Sequence, residues 1–112
     1  MFMPPFSKND ILLVRYPFSD QTGAKVRPAV VVSAPHVSQD IFIVPLTSKV
    51  AVLLPGEFLL ADWKAEGLNV MTAVKRGLYT VHHDLVAKTV GRLSWRDIHQ
   101  LQSSLQEWLG FS

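Results

Sequence analysis

Residues 94–110 read SWRDIHQLQSSLQEWLG and decide the fold, because their apolar side chains recur at helical spacing. These side chains lie three and four residues apart and form one face of a helix: Trp95, Ile98, Leu101, Leu105, Trp108 and Leu109. Ser94 can cap the first turn, Asp97 suits the positive end of the helix dipole, and Gly110 stands where a helix ends. We therefore predict a C-terminal helix whose two tryptophans pack into the core.

The chain before this helix carries the pattern of short strands. Runs of branched and apolar residues predict strands at 10–16, 27–33 and 40–47, and weaker ones at 57–61, 69–75 and 78–81. Residues 85–93 are ambiguous, and Pro45 suggests an edge strand or a bulge. Residues 17–26 (PFSDQTGAKV) are polar and indicate a loop. Strands followed by one helix predict an α+β fold, with a small antiparallel sheet that curls into a partly open barrel.

The composition is that of one domain with a substantial apolar core. The 112 residues are 48% hydrophobic and too few for two separate cores, so we predict a single domain over residues 1–112. The lack of cysteine excludes disulfides and thiolate chemistry and agrees with a reducing cytoplasm. No basic segment leads into an apolar run, and the longest apolar runs are too short to span a membrane. We expect a cytoplasmic protein that does not contact a membrane.

The four histidines do not form a recognisable metal-binding pattern. His82 and His83 are adjacent, so an extended segment would point them to opposite faces, while His36 and His99 stand alone. There is also no Gly-x-Ser-x-Gly elbow and no glycine-rich phosphate loop. We predict no metal and no cofactor. The net charge of +2 and the pI of about 9.2 only mildly favour a polyanionic partner.

Two polar segments stand at strand ends and suit phosphate binding. Residues 25–28 (KVRP) precede an apolar strand, and the planar guanidinium of Arg27 can give a phosphate two hydrogen bonds. Residues 47–49 (TSK) follow the third strand with two hydroxyls and an ammonium group. Solvated turns are the alternative interpretation of both segments. Arg27 and Thr47 can act together only if their strands are neighbours, as consecutive strands usually are.

Four segments of the chain, in this order, resemble the MazF/PemK family of toxins from toxin–antitoxin pairs. They are NDILLVRYPFSD (9–20), VRPAVVVS (26–33), IFIVPLTS (41–48) and VGRLSWRDIHQLQSSLQEWLG (90–110). The resemblance implies an SH3-like barrel with a C-terminal helix and an endoribonuclease that cuts single-stranded RNA without a metal. In that reaction the 2'-hydroxyl attacks the 3'-phosphate and leaves a cyclic phosphate and a 5'-hydroxyl. It also implies a homodimer and a cognate antitoxin with an acidic segment.

The same resemblance implies roles for individual residues. Arg27 matches the family arginine that opens the second strand, which stabilises the phosphorane and takes part in proton transfer. Thr47 matches the hydroxyl residue that hydrogen-bonds the scissile phosphate, with Ser48 beside it as a further substrate contact. Many members carry an Arg-x-Asp pair on a later strand, where this chain has Lys75 and Gly77. The carboxylate that serves as general base is therefore missing, and Lys75 is expected to bind RNA rather than to catalyse.

The loop at residues 17–26 would cover the site in this family. Phe18 would stack on a base, or would instead pack back onto the barrel, and Lys25 would add a cation for RNA binding. Two other functions stay open. The missing acid at Gly77 favours an inactive relative that only binds RNA or antitoxin. A gyrase-poison toxin on the same barrel is the other alternative, and the pattern of Arg27 and Thr47 argues against it.

Overall fold

Seven strands precede one C-terminal helix in the part of the chain that this computed structural model describes, residues 6–15 and 25–111. The elements are β1 Asp10–Arg15, β2 Val26–Val31, β3 Asp40–Thr47, β4 Phe58–Leu59, β5 Ala73–Val74, β6 Tyr79–His82, β7 Val86–Arg92 and α1 Trp95–Leu109. A single 3₁₀ turn at His83–Leu85 joins β6 to β7. The order of strands and helix confirms the predicted α+β class, and the ambiguous segment at 85–93 is a strand.

All of the strand pairs are antiparallel, and the described strands form one open sheet. Its order is β4-β5-β3-β2-β1-β7, with β6 paired to the first half of β3. The predicted antiparallel sheet and terminal helix are confirmed, but the sheet does not close into a barrel among the described residues. Strands β4 and β5 contain two residues each, which is too short a ladder for closure, and α1 packs against their end of the sheet instead.

Strand β3 lies inside the sheet although it contains Pro45, so of the two predicted alternatives, an edge strand or a bulge, the edge strand was wrong. Pro45 pairs with Ala29 of β2 and stands where the partner on the other side changes from β6 to β5. Its carbonyl accepts the N–H of Lys75 at 2.9 Å. Because the N–H and C=O of one strand residue point to the same side, the missing N–H falls in the gap between β6 and β5.

Two apolar clusters lie on the two faces of the sheet. Adjacent residues of a strand point to opposite faces and so belong to different clusters, as Ile11 and Leu12 of β1 do. The first cluster contains Leu12, Val14, Ala29, Val31, Ile41, Ile43 and Val81. The second contains Ile11, Val30, Val44, Leu46, Val74 and Leu101, and it lies beneath α1. The central strands are therefore buried on both faces, which holds their outer ends in a defined position.

The ends of α1 are those that the sequence predicts. The Ser94 hydroxyl accepts the N–H of Asp97 at 3.3 Å, and Gly110 takes the left-handed conformation at φ 79°. The prediction that Trp95 packs in the core was wrong, because its side chain is 76% exposed. The side chain of Asp97 points into the protein from the start of α1, and that of Trp95 therefore points toward solvent.

Trp108, by contrast, packs against the second apolar cluster as predicted. Its indole N–H donates to the carbonyl of Pro55 at 3.0 Å, and the Ser104 hydroxyl donates to the carbonyl of Gly56 at 2.6 Å. Gly56 has φ 86°, and a Cβ there would collide with the indole. A glycine is therefore required where the end of the helix meets this turn.

A buried pair of carboxyl groups fastens the start of α1 to the turn at residues 61–67. Asp97 accepts the N–H groups of Ala61 and Asp62 at 2.9 and 3.2 Å, and Glu66 accepts that of Ser94 at 2.7 Å. Glu66 and Asp97 are each 2% exposed. Desolvation by burial, together with the neighbouring Asp97, raises the pKa of Glu66 to about 7. Glu66 is therefore held partly protonated beside an acid at neutral pH.

Candidate active site

A groove of about 640 Å³ opens beside the ends of β2, β3 and β5. It brings together four of the residues that the sequence proposed for the site: Arg27, Thr47, Ser48 and Lys75. Four further polar residues share its lining: Lys49, Asn69, Thr72 and Tyr79. The rest of the lining is apolar, so the groove combines hydrogen-bonding and cationic groups with surface suited to a flat apolar ring.

Arg27 and Thr47 lie on neighbouring strands at matching positions. The ladder between β2 and β3 pairs Ala29 with Pro45. When this register is continued by two residues toward the groove, Arg27 lies opposite Thr47. Opposite residues of an antiparallel pair have their side chains on the same face and only about 5 Å apart at Cβ. Arg27 is exposed and Thr47 is half-buried, so a ligand in the groove can reach both groups.

The Thr47 side chain is oriented by the turn that follows β3. Its Oγ1 accepts the N–H of Lys49 at 3.0 Å. Because this bond uses a lone pair of the oxygen, the hydroxyl hydrogen can still be donated to an anion. Ser48 and Lys49 are exposed at the tip of the same turn. The turn therefore presents a hydroxyl donor with an ammonium group close by.

Lys75 directly follows β5, and its neighbours hold its backbone in place. Its N–H bonds the carbonyl of Pro45, and the N–H of Arg76 bonds Glu57 at 2.8 Å. Glu57 also accepts the N–H of Leu54 at 2.7 Å. Desolvation by burial acts to raise the pKa of Glu57, but these two bonds and the charges of Lys75 and Arg76 lower it on balance. Glu57 therefore stays ionised while both of its oxygens are engaged.

The charge of the groove is positive. Arg27, Lys49 and Lys75 line it, and no aspartate or glutamate is among its described lining residues. Position 77, where the resemblance places an acid, is occupied by a half-buried glycine. A phosphodiester in this groove therefore meets cations and hydroxyls and no carboxylate that would repel it or accept a proton.

The other two predicted substrate contacts are Lys25 and Phe18. Lys25 is exposed but is not among the residues that line the groove, and Phe18 lies outside the described residues. Asn69 and Tyr79 do line the groove, and the sequence reasoning missed them. The signal was weak, because Asn69 lies in a loop and Tyr79 begins a strand that is remote in sequence from β2.

His82, His83 and Asp84 lie close enough together to be considered as metal ligands. The prediction that the two imidazoles diverge was wrong, since β6 ends at His82 and the ring centres lie 4.4 Å apart. The His82 Nδ1 accepts the N–H of Asp84 at 3.2 Å, and the His83 Nε2 lies 3.1 Å from Asp84 Oδ1. These contacts join both imidazoles to Asp84, and the cluster does not border the groove.

Asp62, Glu66 and Asp97 form a second group of this kind. The carboxylates of Glu66 and Asp97 accept three backbone N–H groups, two from the turn at residues 61–67 and one from Ser94 at the start of α1. Aligned N–H groups favour an anion and oppose a cation at the same place. This group is therefore best explained as the anchor of the helix.

The model of the PemK-like, MazF-like toxins of type II toxin–antitoxin systems matches residues 7–109. The chain belongs to this toxin family. The match spans the groove residues of the toxin as well as its core and C-terminal helix. A search of curated protein sequences found no match to the toxin.

Solved structures of similar fold agree with this assignment. The toxin superposes with a TM-score of 0.77 on an endoribonuclease in complex with its cognate antitoxin from Mycobacterial species, at 14% identity over 95% of this chain and 96% of that one. MazF from Deinococcus radiodurans gives 0.71 at 19% identity, over 93% and 96% of the two chains. The MazE–MazF structure from the same organism gives 0.74 at 17% identity, over 99% and 100%. These similarities establish the fold of the toxin.

Among the described residues of the toxin, no helix has the length and apolar character needed to cross a membrane.

Proposed function

We propose that this toxin is an endoribonuclease that cuts single-stranded RNA without a metal ion, and that it works as a homodimer. The observation that carries the proposal is the placement of Arg27 and Thr47 in one cationic groove, at matching positions of β2 and β3. Two solved structures of the same fold are described as endoribonucleases. An unpaired strand is the form of RNA whose bases are accessible to the side chains of a groove.

The reaction breaks one phosphodiester bond with the RNA's own hydroxyl. The 2'-oxygen forms a bond to phosphorus, the bond from phosphorus to the 5'-oxygen breaks, and the products carry a 2',3'-cyclic phosphate and a 5'-hydroxyl. The guanidinium of Arg27 stabilises the additional charge on the phosphorane through two hydrogen bonds. The hydroxyl of Thr47 donates to a non-bridging phosphate oxygen, and Lys75 binds a neighbouring phosphate. These contacts orient the 2'-hydroxyl for in-line attack.

Two protons move in this reaction. The departing 5'-oxygen is somewhat more basic than a neutral guanidine, so Arg27 can donate a hydrogen bond to it and pass on a proton that water at once replaces. The proton of the 2'-hydroxyl passes to solvent hydroxide, because no carboxylate lines the described part of the groove. We therefore infer a slow enzyme whose rate depends on hydroxide concentration.

We further infer that a cognate antitoxin covers this groove with an acidic segment. The exposed cations Arg27, Lys49 and Lys75 attract carboxylates as they attract phosphates. Structures of similar fold have been solved with an antitoxin, as the MazE–MazF complexes show for their own proteins. The toxin and its RNA substrate would meet in the cytoplasm.

Cleavage of a long single-stranded RNA in EDTA tests the proposal. The toxin and the Arg96→Ala variant should give discrete fragments, whereas Arg27→Ala should give none. Arg96 is a matched control because it is an exposed arginine on α1 that does not line the groove. The new 5' ends should accept phosphate from polynucleotide kinase without phosphatase treatment.

Other results would favour the other functions. RNA that binds the toxin but stays intact would support an inactive binding relative, which the lack of a groove carboxylate also favours. Inhibition of gyrase with intact RNA would support the gyrase-poison class. Fragments that appear only with an added divalent metal would contradict the proposed chemistry.

A further inference from the structure

We propose that Tyr79 is the base-stacking platform of the groove and that Gly77 provides the space for its ring. The inference rests on the proposed function to the extent that the groove binds a single nucleic-acid strand. It goes beyond that function because it assigns a nucleobase contact to one residue of this chain.

Tyr79 is held firmly at the edge of the groove. It is the first residue of β6, and its backbone pairs with that of Ile43, a fully buried residue of β3. Its side chain is nevertheless 42% exposed and lines the groove together with Arg27, Thr47 and Lys75. An aromatic ring thus stands beside the groups that would bind the phosphates.

The ring of Tyr79 packs over Gly77. A Cβ at position 77 would lie 3.0 Å from Tyr79 Cε2 and 3.3 Å from Pro45 Cγ. The tyrosine and proline side chains therefore occupy the space into which any side chain at 77 would project. The glycine at position 77 thus leaves room for the Tyr79 ring, and the same glycine leaves this position without an acid.

A ring fixed in this way is suited to stacking on a base. Because the ring already packs over Gly77, part of its rotamer freedom is lost before a base binds. Base–aromatic stacking is tolerant of sequence, since every base has a π face, and it contributes about 1–3 kcal/mol per base. Arg27, Lys49 and Lys75 would bind the phosphates on either side while Tyr79 receives the base.

The test compares two uncleavable decamers, which share the same phosphates and differ only in their bases. One is a mixed-sequence 2'-O-methyl RNA, and the other carries abasic sites throughout. Neither has a 2'-hydroxyl at the phosphates, so fluorescence anisotropy reports binding alone. Tyr79→Leu should weaken binding of the base-containing decamer about fivefold to hundredfold. It should leave the affinity for the abasic decamer unchanged.

Three further variants make the result specific. Tyr79→Phe, which keeps the ring, should recover most of the affinity that Tyr79→Leu loses. Phe42→Leu is the matched control, because it removes a 47% exposed ring from β3 that does not line the groove, and it should change neither affinity. Gly77→Val keeps the tyrosine but displaces its ring, so it should weaken binding of the base-containing decamer only. That variant also tests the proposal if Tyr79→Leu does not fold.

The outcomes separate this inference from the proposed nuclease. Equal weakening of binding to both decamers would contradict the stacking role of Tyr79 and leave the proposed RNA cleavage unaffected. An equal loss of affinity in Tyr79→Phe and Tyr79→Leu would do the same. An unchanged affinity in both Tyr79→Leu and Gly77→Val would overturn it as well. If Tyr79→Leu weakens binding of the base-containing decamer alone and the toxin cuts no RNA, the stacking role is supported and the proposed nuclease is refuted.

Discussion

Arg27 of β2 and Thr47 of β3 line one groove, each two residues beyond the paired residues Ala29 and Pro45 of their strands. The strands behind them are buried on both faces, so the two positions are set by the core of the sheet. The guanidinium and the hydroxyl can therefore approach one phosphate from neighbouring strands. This relationship supports the proposed reaction and leads to predictions for each part of the groove.

The Thr47 hydroxyl should matter through its hydrogen bond to the phosphate. We expect Thr47→Val to lower the single-turnover cleavage rate by about 10²–10³-fold, as loss of one donor to a developing oxyanion does. Thr47→Ser should retain most of the rate, because it can both accept the N–H of Lys49 and donate to the phosphate. A loss in Thr47→Ser with little loss in Thr47→Val would show that the methyl packing, and not the hydroxyl, is what matters.

Cleavage should depend on pH as expected for an enzyme without a carboxylate base. Since no acid lines the described groove, the cleavage rate should rise in proportion to hydroxide concentration through neutral pH. Single-turnover rates measured on a labelled oligoribonucleotide between mildly acidic and mildly alkaline pH would show this. A rate that levels off in the acidic range would instead reveal a carboxylate base that the described groove does not contain.

Lys75 should contribute one phosphate contact. We expect Lys75→Ala to weaken RNA binding for all sequences alike and to lower the slope of log K against log salt by about 0.7. Lys88→Ala is the comparison, because Lys88 is exposed on β7 and does not line the groove. Titrations at several salt concentrations measure both slopes, and identical slopes for the two variants would argue against the contact.

Stability should fall as pH rises through the range in which Glu66 titrates. The pKa of Glu66 is raised from 4.5 to about 7 by its burial and by Asp97, so the folded protein binds this proton more tightly than the unfolded chain. The free energy of unfolding should therefore decrease between about pH 4.5 and 7 and level off above it. The full change from this group amounts to about 3 kcal/mol.

The Glu66→Gln variant tests this assignment. Its amide oxygen can still accept the N–H of Ser94, and its amide nitrogen can donate to Asp97 without a proton being taken up. Urea unfolding at several pH values should show a flatter profile for the variant and greater stability than the wild type above pH 7. If the two profiles run in parallel, the pH dependence comes from another group.

Helix α1 and the main strands could be predicted from sequence because they depend on nearby residues. Apolar spacing, the cap at Ser94 and the stop at Gly110 act within a few positions of the chain. The pairing of β2 with β3, which carry Arg27 and Thr47, also followed, because consecutive strands tend to pair.

Only the tertiary structure decided which residues from distant parts of the chain meet. The exposure of Trp95 depends on Asp97 binding a turn more than thirty residues earlier, and Pro45 fits an inner strand because β6 and β5 leave a gap beside it. The position of Tyr79 in the groove likewise follows from its pairing with β3. A local sequence pattern reflects the conformational preference of one segment. Contacts between distant residues form only when the whole sheet packs, so no local pattern predicts them.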